Sequence, residues 1–323
     1  MEFIRKAPVE MAFYEALLRR AVVDERVQHD MQAKYMQLRT GFAGERRVDR
    51  EWREVNVPGL LLHDFTCRNE FGHTHQIDTI FVCKHFILVV EVKNVSGRID
   101  FDDARCQFLR TREDGKVESF MNPVDQVKRH RELLVNESLA WSEYVPVEAA
   151  VVIANPSTVI GRLSTEVPVF NVSGLRTKVQ ELVKKYAAVQ VNPRVVKGYL
   201  EALYEPIERT RTRADLPYSL RQGVLCLSCG KVMHHGFKGF VCVNCGTRDR
   251  DGAALRMAMH DFRVLYGDHI SNREFREFCG VGSWRTANEM LKKLFSNFTG
   301  EKKSRKYIIP SDIGRTSRKL LKM

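Results

Sequence analysis

The sequence predicts an α/β domain followed by a separate, smaller basic module, and three observations carry that prediction. Helical spacing in the N-terminal stretch gives way, after Pro58-Gly59, to short runs rich in Ile, Val and Phe. A segment of helical spacing then separates those runs from a further apolar one, Val147–Ala154. Past residue 205 the composition changes, as paired cysteines and an excess of Lys and Arg replace the apolar runs. Helices alternating with strands in one stretch, then a shift in composition, is how a layered domain with an appendage reads.

Each element follows in order. Residues 9–38 carry Phe13, Tyr14, Leu17, Leu18 and Val22 near a 3.6 spacing, with no Gly or Pro before Gly41, which predicts one helix. A second helix is expected from about Gly44 through Val55, stopped by Pro58-Gly59. Leu60–Phe65, Gln76–Lys84 and His85–Val92 read as strands, Pro123–Leu139 as a helix, and Val147–Ala154 as a buried strand. Gly174 to Tyr204 reads as two helices parted by Asn192-Pro193. The expected domains are therefore 1–38 (helical segment), 39–155 (α/β domain), 156–204 (helical extension), 205–222 (Arg-rich linker with Pro206 and Pro217), 223–248 (cysteine module) and 249–323 (basic module). The first segment either docks on the core or mediates dimerisation.

Composition excludes several classes. Of 323 residues, 44% are hydrophobic and 28% charged, which rules out a disordered chain, a collagen and a small disulfide scaffold. The longest apolar stretch, Phe86–Val90, is far short of the roughly 20 residues of a membrane helix, so no membrane partner is expected. Met1-Glu2-Phe3-Ile4-Arg5-Lys6 carries an acid and leads into a charged helical pattern instead of a signal peptide's apolar block, so a cytoplasmic protein is expected. The formal charge is +12, and residues 205–323 hold 23 Lys/Arg against 12 Asp/Glu, leaving the front almost neutral. A basic tail on a neutral front is suited to a polyanion such as nucleic acid. Cys67, Cys83, Cys106 and Cys279 are scattered and read as small hydrophobes without a role.

The first domain places charges on strands where they need a reason. Asp78 interrupts the apolar Gln76–Val82 run, and Glu91 and Lys93 end the Phe86–Lys93 run, the most hydrophobic of the chain. Strand alternation points Glu91 and Lys93 to one face. A charge buried on a strand costs several kcal/mol, on the order of 5, unless it is paired or binds a metal. Carboxylates brought together repel, and a divalent cation relieves the repulsion. Oxygen ligands beside a Lys suit Mg²⁺ or Mn²⁺ and a phosphodiester. Read alone, Glu91–Lys93 is a surface pair at a strand end, with Asp78 capping a turn, and it is the surrounding residues that favour the metal reading. His73 and His75 flank the entry to the Asp78 strand without a ligand spacing and read as solvated.

Gly44-Glu45, Gln76-Ile77-Asp78, Glu91-Val92-Lys93-Asn94 with Ser96-Gly97, and Asn122-Pro123 followed by Gln126 together resemble the nuclease-related domain, a family assigned to the PD-(D/E)XK nuclease superfamily. The resemblance covers roughly residues 39–155 and implies a restriction-endonuclease-like mixed sheet flanked by helices. Carried over, it implies Asp78 and Glu91 as ligands of a catalytic Mg²⁺ or Mn²⁺ and Lys93 as the catalytic lysine. Glu45 would be a further acid near the metal, and Gln126 would position substrate or metal. The Pro of the superfamily's name is absent, since Ile77 precedes Asp78.

Cys226-x2-Cys229 and Cys242-x2-Cys245 bracket 12 residues, with Gly230 and Gly246 directly after each pair. Four thiolates on two tight turns suit a closed tetrahedral Zn²⁺ site, so this module resembles a zinc ribbon holding one structural ion; an iron–sulfur cluster is the competing occupant. His234 and His235 read as tip residues.

The basic module opens a helix with the capping box Ser271-Asn272-Arg273-Glu274, turns at Gly280-Val281-Gly282, and starts a second helix at Ser283. Trp284, Ala287, Met290, Leu291 and Leu294 form that helix's apolar stripe. A charged tip, Thr299–Lys306, then lies between Phe298 and Tyr307. This resembles a winged helix-turn-helix, with Arg285, Asn288, Lys292 and Lys293 on the helix and Lys302, Lys303, Arg305 and Lys306 on the wing expected to meet nucleic acid. Two functions follow: a metal-dependent nuclease acting on nucleic acid, DNA in preference to RNA, or a non-catalytic DNA-binding protein that uses a nuclease-like scaffold.

Overall fold

The computed structural model describes residues 4–141, 144–206, 216–236 and 239–314. Residues 207–215 of the expected linker and 315–323 of the basic module lie outside the described residues. The chain divides into two compact units, Met1–Ala7 with Arg39–Glu208 and Pro8–Leu38 with Arg209–Met323.

The N-terminal stretch forms α1 (Val9–Arg20), a short strand β1 (Ala21–Val22) and α2 (Glu25–Trp52). Two expectations are corrected here. The helix expected over 9–38 breaks at Ala21, because Ala21 and Val22 pair with Leu220 and Ser219. A new helix then starts where the Asp24 carboxylate accepts the Val27 N–H at 2.9 Å. The helix expected from Gly44 is not a separate element, since α2 runs through Gly41 and Gly44. An interior glycine costs about 1 kcal/mol relative to Ala. At Gly44 close approach explains it: a Cβ there would lie 2.4 Å from the Asn94 Cβ, and Asn94 Nδ2 donates to the Thr40 carbonyl at 2.7 Å.

In the first unit the chain continues through β2 (Gly59–Arg68), β3 (Thr74–Cys83), β4 (Ile87–Lys93), β5 (Arg98–Asp102), β6 (Gln107–Thr111), β7 (Val117–Phe120) and α3 (Pro123–Ser138). It ends with β8 (Val147–Ile153), β9 (Val159–Ile160), β10 (Val169–Asn171), α4 (Leu175–Lys185) and α5 (Pro193–Leu203). The main sheet is mixed, in the order β10-β8-β4-β3-β2, with β2, β3 and β4 antiparallel and β4, β8 and β10 parallel. Ile87–Val92 of β4 is buried throughout, as expected of a central strand covered on both faces. On one face Ile80, Val82, Ile87 and Val89 pack with Val124, Val127 and Leu134 of α3. On the other, Phe81, Leu88 and Val90 pack with Val48 and Trp52 of α2 and with Leu175 and Val179 of α4. A second sheet, β7-β6-β5-β9, leaves little trace in the sequence, because its strands are two to five residues long and mix polar with apolar side chains.

In the second unit come β11 (Ser219–Leu220), the hairpin β12 (His234–Gly236) and β13 (Gly239–Val241), α6 (Ala253–Tyr266), β14 (His269–Ser271), α7 (Asn272–Cys279), α8 (Trp284–Leu294), β15 (Phe298–Thr299) and β16 (Lys306–Ile308). α1 packs on α6, with Ala16, Leu17 and Leu265 in one cluster, and the buried Arg20 donates to the buried Asp261 at 2.7 Å. The Ser271–Glu274 capping box forms as the sequence predicts. Phe275, Phe278, Ala287, Leu291 and Tyr307 share a core with Val224 and Phe240 of the cysteine module. Trp284 departs from its expected place: at the first position of α8 it is 62% exposed, while Ala287 and Leu291 alone of the stripe are fully buried. Among the described residues, no helix is long and apolar enough to cross a membrane.

Candidate active site and candidate metal centre

Thr79 of β3 pairs with Val90 of β4, so the next positions along this antiparallel pair, Asp78 and Glu91, face each other. Asp78 Oδ2 accepts the Val92 N–H at 2.8 Å, which fixes its carboxylate against β4. Lys93 Nζ donates to Glu91 Oε1 at 2.5 Å and to Gln126 Oε1 of α3 at 3.2 Å. Asp78, the Glu91–Lys93 pair and Gln126, far apart along the chain, are thus drawn into one polar cluster where the pairing of β3 with β4 ends. Glu45 reaches it from α2 and is held by Arg5, whose Nη1 donates to Glu45 Oε2 at 2.9 Å.

Burial makes this cluster reluctant to ionise. Glu91 is 2% exposed, and its Oε2 is buried without a hydrogen-bond partner. Desolvation, then the Asp78 carboxylate, push the Glu91 carboxyl up to about 8. Desolvation and Asp78 likewise raise Glu45 to about 7 against the pull of Arg5. Asp78 is also raised, by burial, although the Val92 N–H, Lys93 and Arg5 oppose it. Such a set gains by taking up positive charge, and the free Glu91 oxygen is where a hard cation finds a ligand already desolvated.

Sequence reasoning missed Arg5, Asp49, His63, Asp64 and Thr79. Arg5 Nε donates to Asp49 at 3.0 Å, Nη1 to Asp64 Oδ1 at 3.0 Å, and Nη2 to Thr79 Oγ1 at 2.8 Å and the Asp78 carbonyl at 2.9 Å. The one available signal was the i,i+4 spacing of Glu45 and Asp49, which puts both acids on one face of α2. His73 and His75 do not join the carboxylates. The His75 ring lies 5.5 Å from that of His130, edge to face, and burial and then His75 push His130 down to about 4.

The cysteines converge by a different route. Each Cys-x2-Cys pair sits on a tight turn in which the Gly230 N–H donates to the Cys226 carbonyl at 2.8 Å and the Gly246 N–H to the Cys242 carbonyl at 2.9 Å. Both glycines have φ above +70°, which a β-carbon disfavours. Cys226 and Cys245 sulfurs are 3.6 Å apart, Cys229 and Cys242 sulfurs 3.5 Å. Hydrogen bonding from the Thr247 side chain and then its backbone holds the Cys245 thiol down to about 6. Among the described residues these four are the one group of three or more His, Cys, Asp and Glu ligand atoms lying within 4.8 Å of one another. They can hold a single tetrahedral metal ion, and Glu45, Asp78 and Glu91 are spaced more loosely.

On α8, Arg285, Lys292 and Lys293 are exposed, whereas Asn288 is partly buried and accepts from the Tyr307 hydroxyl at 3.5 Å. Lys302 and Lys306 are exposed, and the Arg305 guanidinium lies 4.3 Å over the Phe298 ring. The side chain of Lys303 lies outside the described residues. The wing tip is one helical turn at Lys302–Ser304, closed by Glu301 and Ser304, between two short strands.

Asp78, Glu91 and Lys93 thus meet where the two interior strands β3 and β4 of the mixed sheet stop pairing. Residues 40–154 match the family model of the nuclease-related domain, and this stretch of the chain is such a domain. An uncharacterized protein of Bacillus anthracis is 33% identical over 94 residues; the match takes in 28% of this chain and 42% of that one, so the chain spans about two fifths of this curated relative's length. Among solved structures, the small subunit (R.BspD6I2) of the heterodimeric restriction endonuclease R.BspD6I aligns over 59% of this chain and 86% of its own at 12% identity, with a TM-score of 0.21. At that score the likeness decides neither fold nor function.

Proposed function

We propose that the chain is a metal-dependent nuclease that hydrolyses phosphodiester bonds, acting on DNA in preference to RNA. The observation that carries this reading is the buried Glu91 with an unpartnered oxygen, facing Asp78 and bonded to Lys93. Asp78 and Glu91 would hold one Mg²⁺ or Mn²⁺; these ions need only one or two carboxylates when substrate oxygens and waters complete the shell. The chemistry such an ion supplies is polarisation of a phosphoryl oxygen and a lowered pKa for a bound water. Lys93, held between Glu91 and Gln126, presents an ammonium to the phosphate and stabilises charge that develops there. Gln126 keeps that ammonium in place, and Glu45 adds negative charge beside the cation.

The four thiols would bind one structural Zn²⁺, leaving no open ligand position for catalysis. A thiolate site of this kind belongs in a reducing compartment such as the cytoplasm. Helix α8 and the wing, with their exposed Arg285, Lys292, Lys293, Lys302 and Lys306, would grip the nucleic-acid backbone. The test is cleavage of plasmid and linear DNA, and of RNA, with Mg²⁺ or Mn²⁺, by wild type, Glu91→Ala and Lys93→Ala. Metal-dependent cutting lost in both variants is expected. Equal cutting by all three would end the catalytic reading, and binding without cutting would favour the scaffold.

A further inference from the structure

A cavity of about 710 Å³ opens beside the Lys84-His85 turn that joins β3 to β4, between the entry to β2 and the start of α5. The carboxylates lie elsewhere, since Asp78 stands farther back along β3, about 20 Å from Lys84 at a strand's rise per residue. Val57, Leu60 and Val183 give the cavity apolar walls, and Pro193 stiffens its rim. Two hydrogen bonds tie those walls together. The Val191 N–H donates to the Lys84 carbonyl at 2.8 Å, and His85 Nδ1 donates to the Val189 carbonyl at 2.9 Å. A preformed cavity of this size, mostly apolar with a few fixed polar groups, suits a small molecule.

Its charge narrows the class. Among the described residues no carboxylate lines the cavity, whereas Lys84 and Arg194 do, both exposed and both without an ion-pair partner. Farther along α4 and α5, by contrast, Lys185 pairs with Glu148 and Lys197 with Glu201. His85 is 5% exposed. A carbonyl only accepts, so Nδ1 carries the proton, and in the neutral ring Nε2 is an acceptor without a partner among the described residues. Unpaired cations call for an anion, the walls for an apolar body, and Nε2 for an N–H or O–H. Inorganic phosphate lacks the apolar body, and a fatty acid lacks the donor. A nucleotide supplies all three.

We infer that this cavity binds a nucleoside monophosphate. Its phosphate lies between Lys84 and Arg194, its base against Val57, Leu60 and Val183, and a hydroxyl or amino group donates to His85 Nε2. Arg194 can meet the phosphate with two parallel donors, and Lys84 meets it as a point charge. Because Asp78 and Glu91 are remote from the cavity, this site is separate from the one proposed for phosphodiester hydrolysis, and either can fail without the other.

The test is calorimetric titration of the full chain, without added divalent metal, with 5′-AMP, GMP, CMP and UMP, their nucleosides and inorganic phosphate. At least one nucleotide should bind with a single equivalent, and its nucleoside and inorganic phosphate should each bind about tenfold more weakly or worse. Lys84→Ala with Arg194→Ala, both at exposed positions that leave the core intact, should weaken the nucleotide by about a hundredfold. Glu91→Gln should bind it as wild type does. No nucleotide bound at about 5 mM, beyond the weak end of specific affinities, would overturn the inference, as would unchanged affinity in the double variant. Inorganic phosphate bound as tightly as the nucleotide would also overturn it, leaving an anion site alone. Binding lost in Glu91→Gln would move the nucleotide to the carboxylates and overturn it as well.

Discussion

The two ligand clusters of this chain invite comparison, because each gathers anionic groups and each does so differently. The four thiols are closed on one another, with sulfurs 3.5 and 3.6 Å apart across the pairs. The carboxylates of the nuclease-related domain come from two interior strands and from α2, and leave Glu91 Oε2 unpartnered in the interior. A soft, saturated, tetrahedral set is what a structural ion needs; a hard, incomplete set leaves coordination positions for substrate and water. Closure against openness is therefore the physical difference between a metal that folds a module and one that works on a phosphate.

Damaging each cluster in turn, and measuring both zinc content and cleavage in every variant, tests whether the two act independently. Cys226→Ser should lose the full equivalent of zinc and the fold of its module, since small thiolate modules are unfolded without metal. Retention of a full equivalent, measured by metal analysis, would show that the four sulfurs do not share an ion. Glu91→Ala should keep its zinc yet lose cleavage by about 10³-fold or more, in line with removal of a directly participating electrostatic group. A loss of zinc in Glu91→Ala would mean that the two clusters are not the separate devices their geometry implies, and unchanged cleavage in that variant would end the catalytic reading of Glu91.

The same contrast explains what could be read from the sequence. The cysteines were legible because both halves of each turn lie within five residues, and the spacing alone encodes the geometry. Asp78, Glu91 and Lys93 were legible because charges on apolar strands stand out, and β3 and β4 are consecutive. Arg5 was not: it bonds partners 40 to 74 residues away, and an arginine near an N-terminus has no periodic signal. The run of α2 through Gly41 and Gly44 was missed for a similar reason, because the Asn94 side chain that fits against Gly44 comes from a strand end far along the chain. Sequence pattern reports what local periodicity decides, while packing across elements decides the rest. Trp284 shows the converse, a residue at apolar spacing that the end of its helix leaves in solvent.

The burial that sets the carboxylates apart from the thiols also makes stability depend on pH. Glu91 has a folded-state pKa of about 8, well above an unfolded carboxyl. The native state therefore holds its proton more tightly, and stability is full at low pH and falls as pH rises from the unfolded pKa toward 8. The limiting slope is about 1.4 kcal/mol per pH unit. Glu91→Gln, which mimics the protonated form, should match wild type at pH 4 and melt several degrees higher at pH 8 without divalent metal. Added Mn²⁺ should stabilise wild type at pH 8 and not the variant. Thermal melts across pH check this, and a wild type whose stability rises over that window would contradict the burial argument for Glu91.

The smallest effect concerns the exposed lysines of α8. Lys292 and Lys293 lie in the last turn of a helix whose buried face is anchored by Ala287 and Leu291, so their removal leaves the core untouched. If they meet backbone phosphates, each contact releases condensed counterions, and the slope of log affinity against log salt changes by about 0.9 per lysine on duplex DNA. Lys292→Ala with Lys293→Ala should therefore flatten the slope by about 2, with cleavage of saturating DNA unchanged. Fluorescence anisotropy over a salt series is the measurement. An unaltered slope would take α8 out of the nucleic-acid contact, and a flattening of about 0.7 per lysine on single-stranded RNA would place that contact on shared backbone chemistry and not on the duplex.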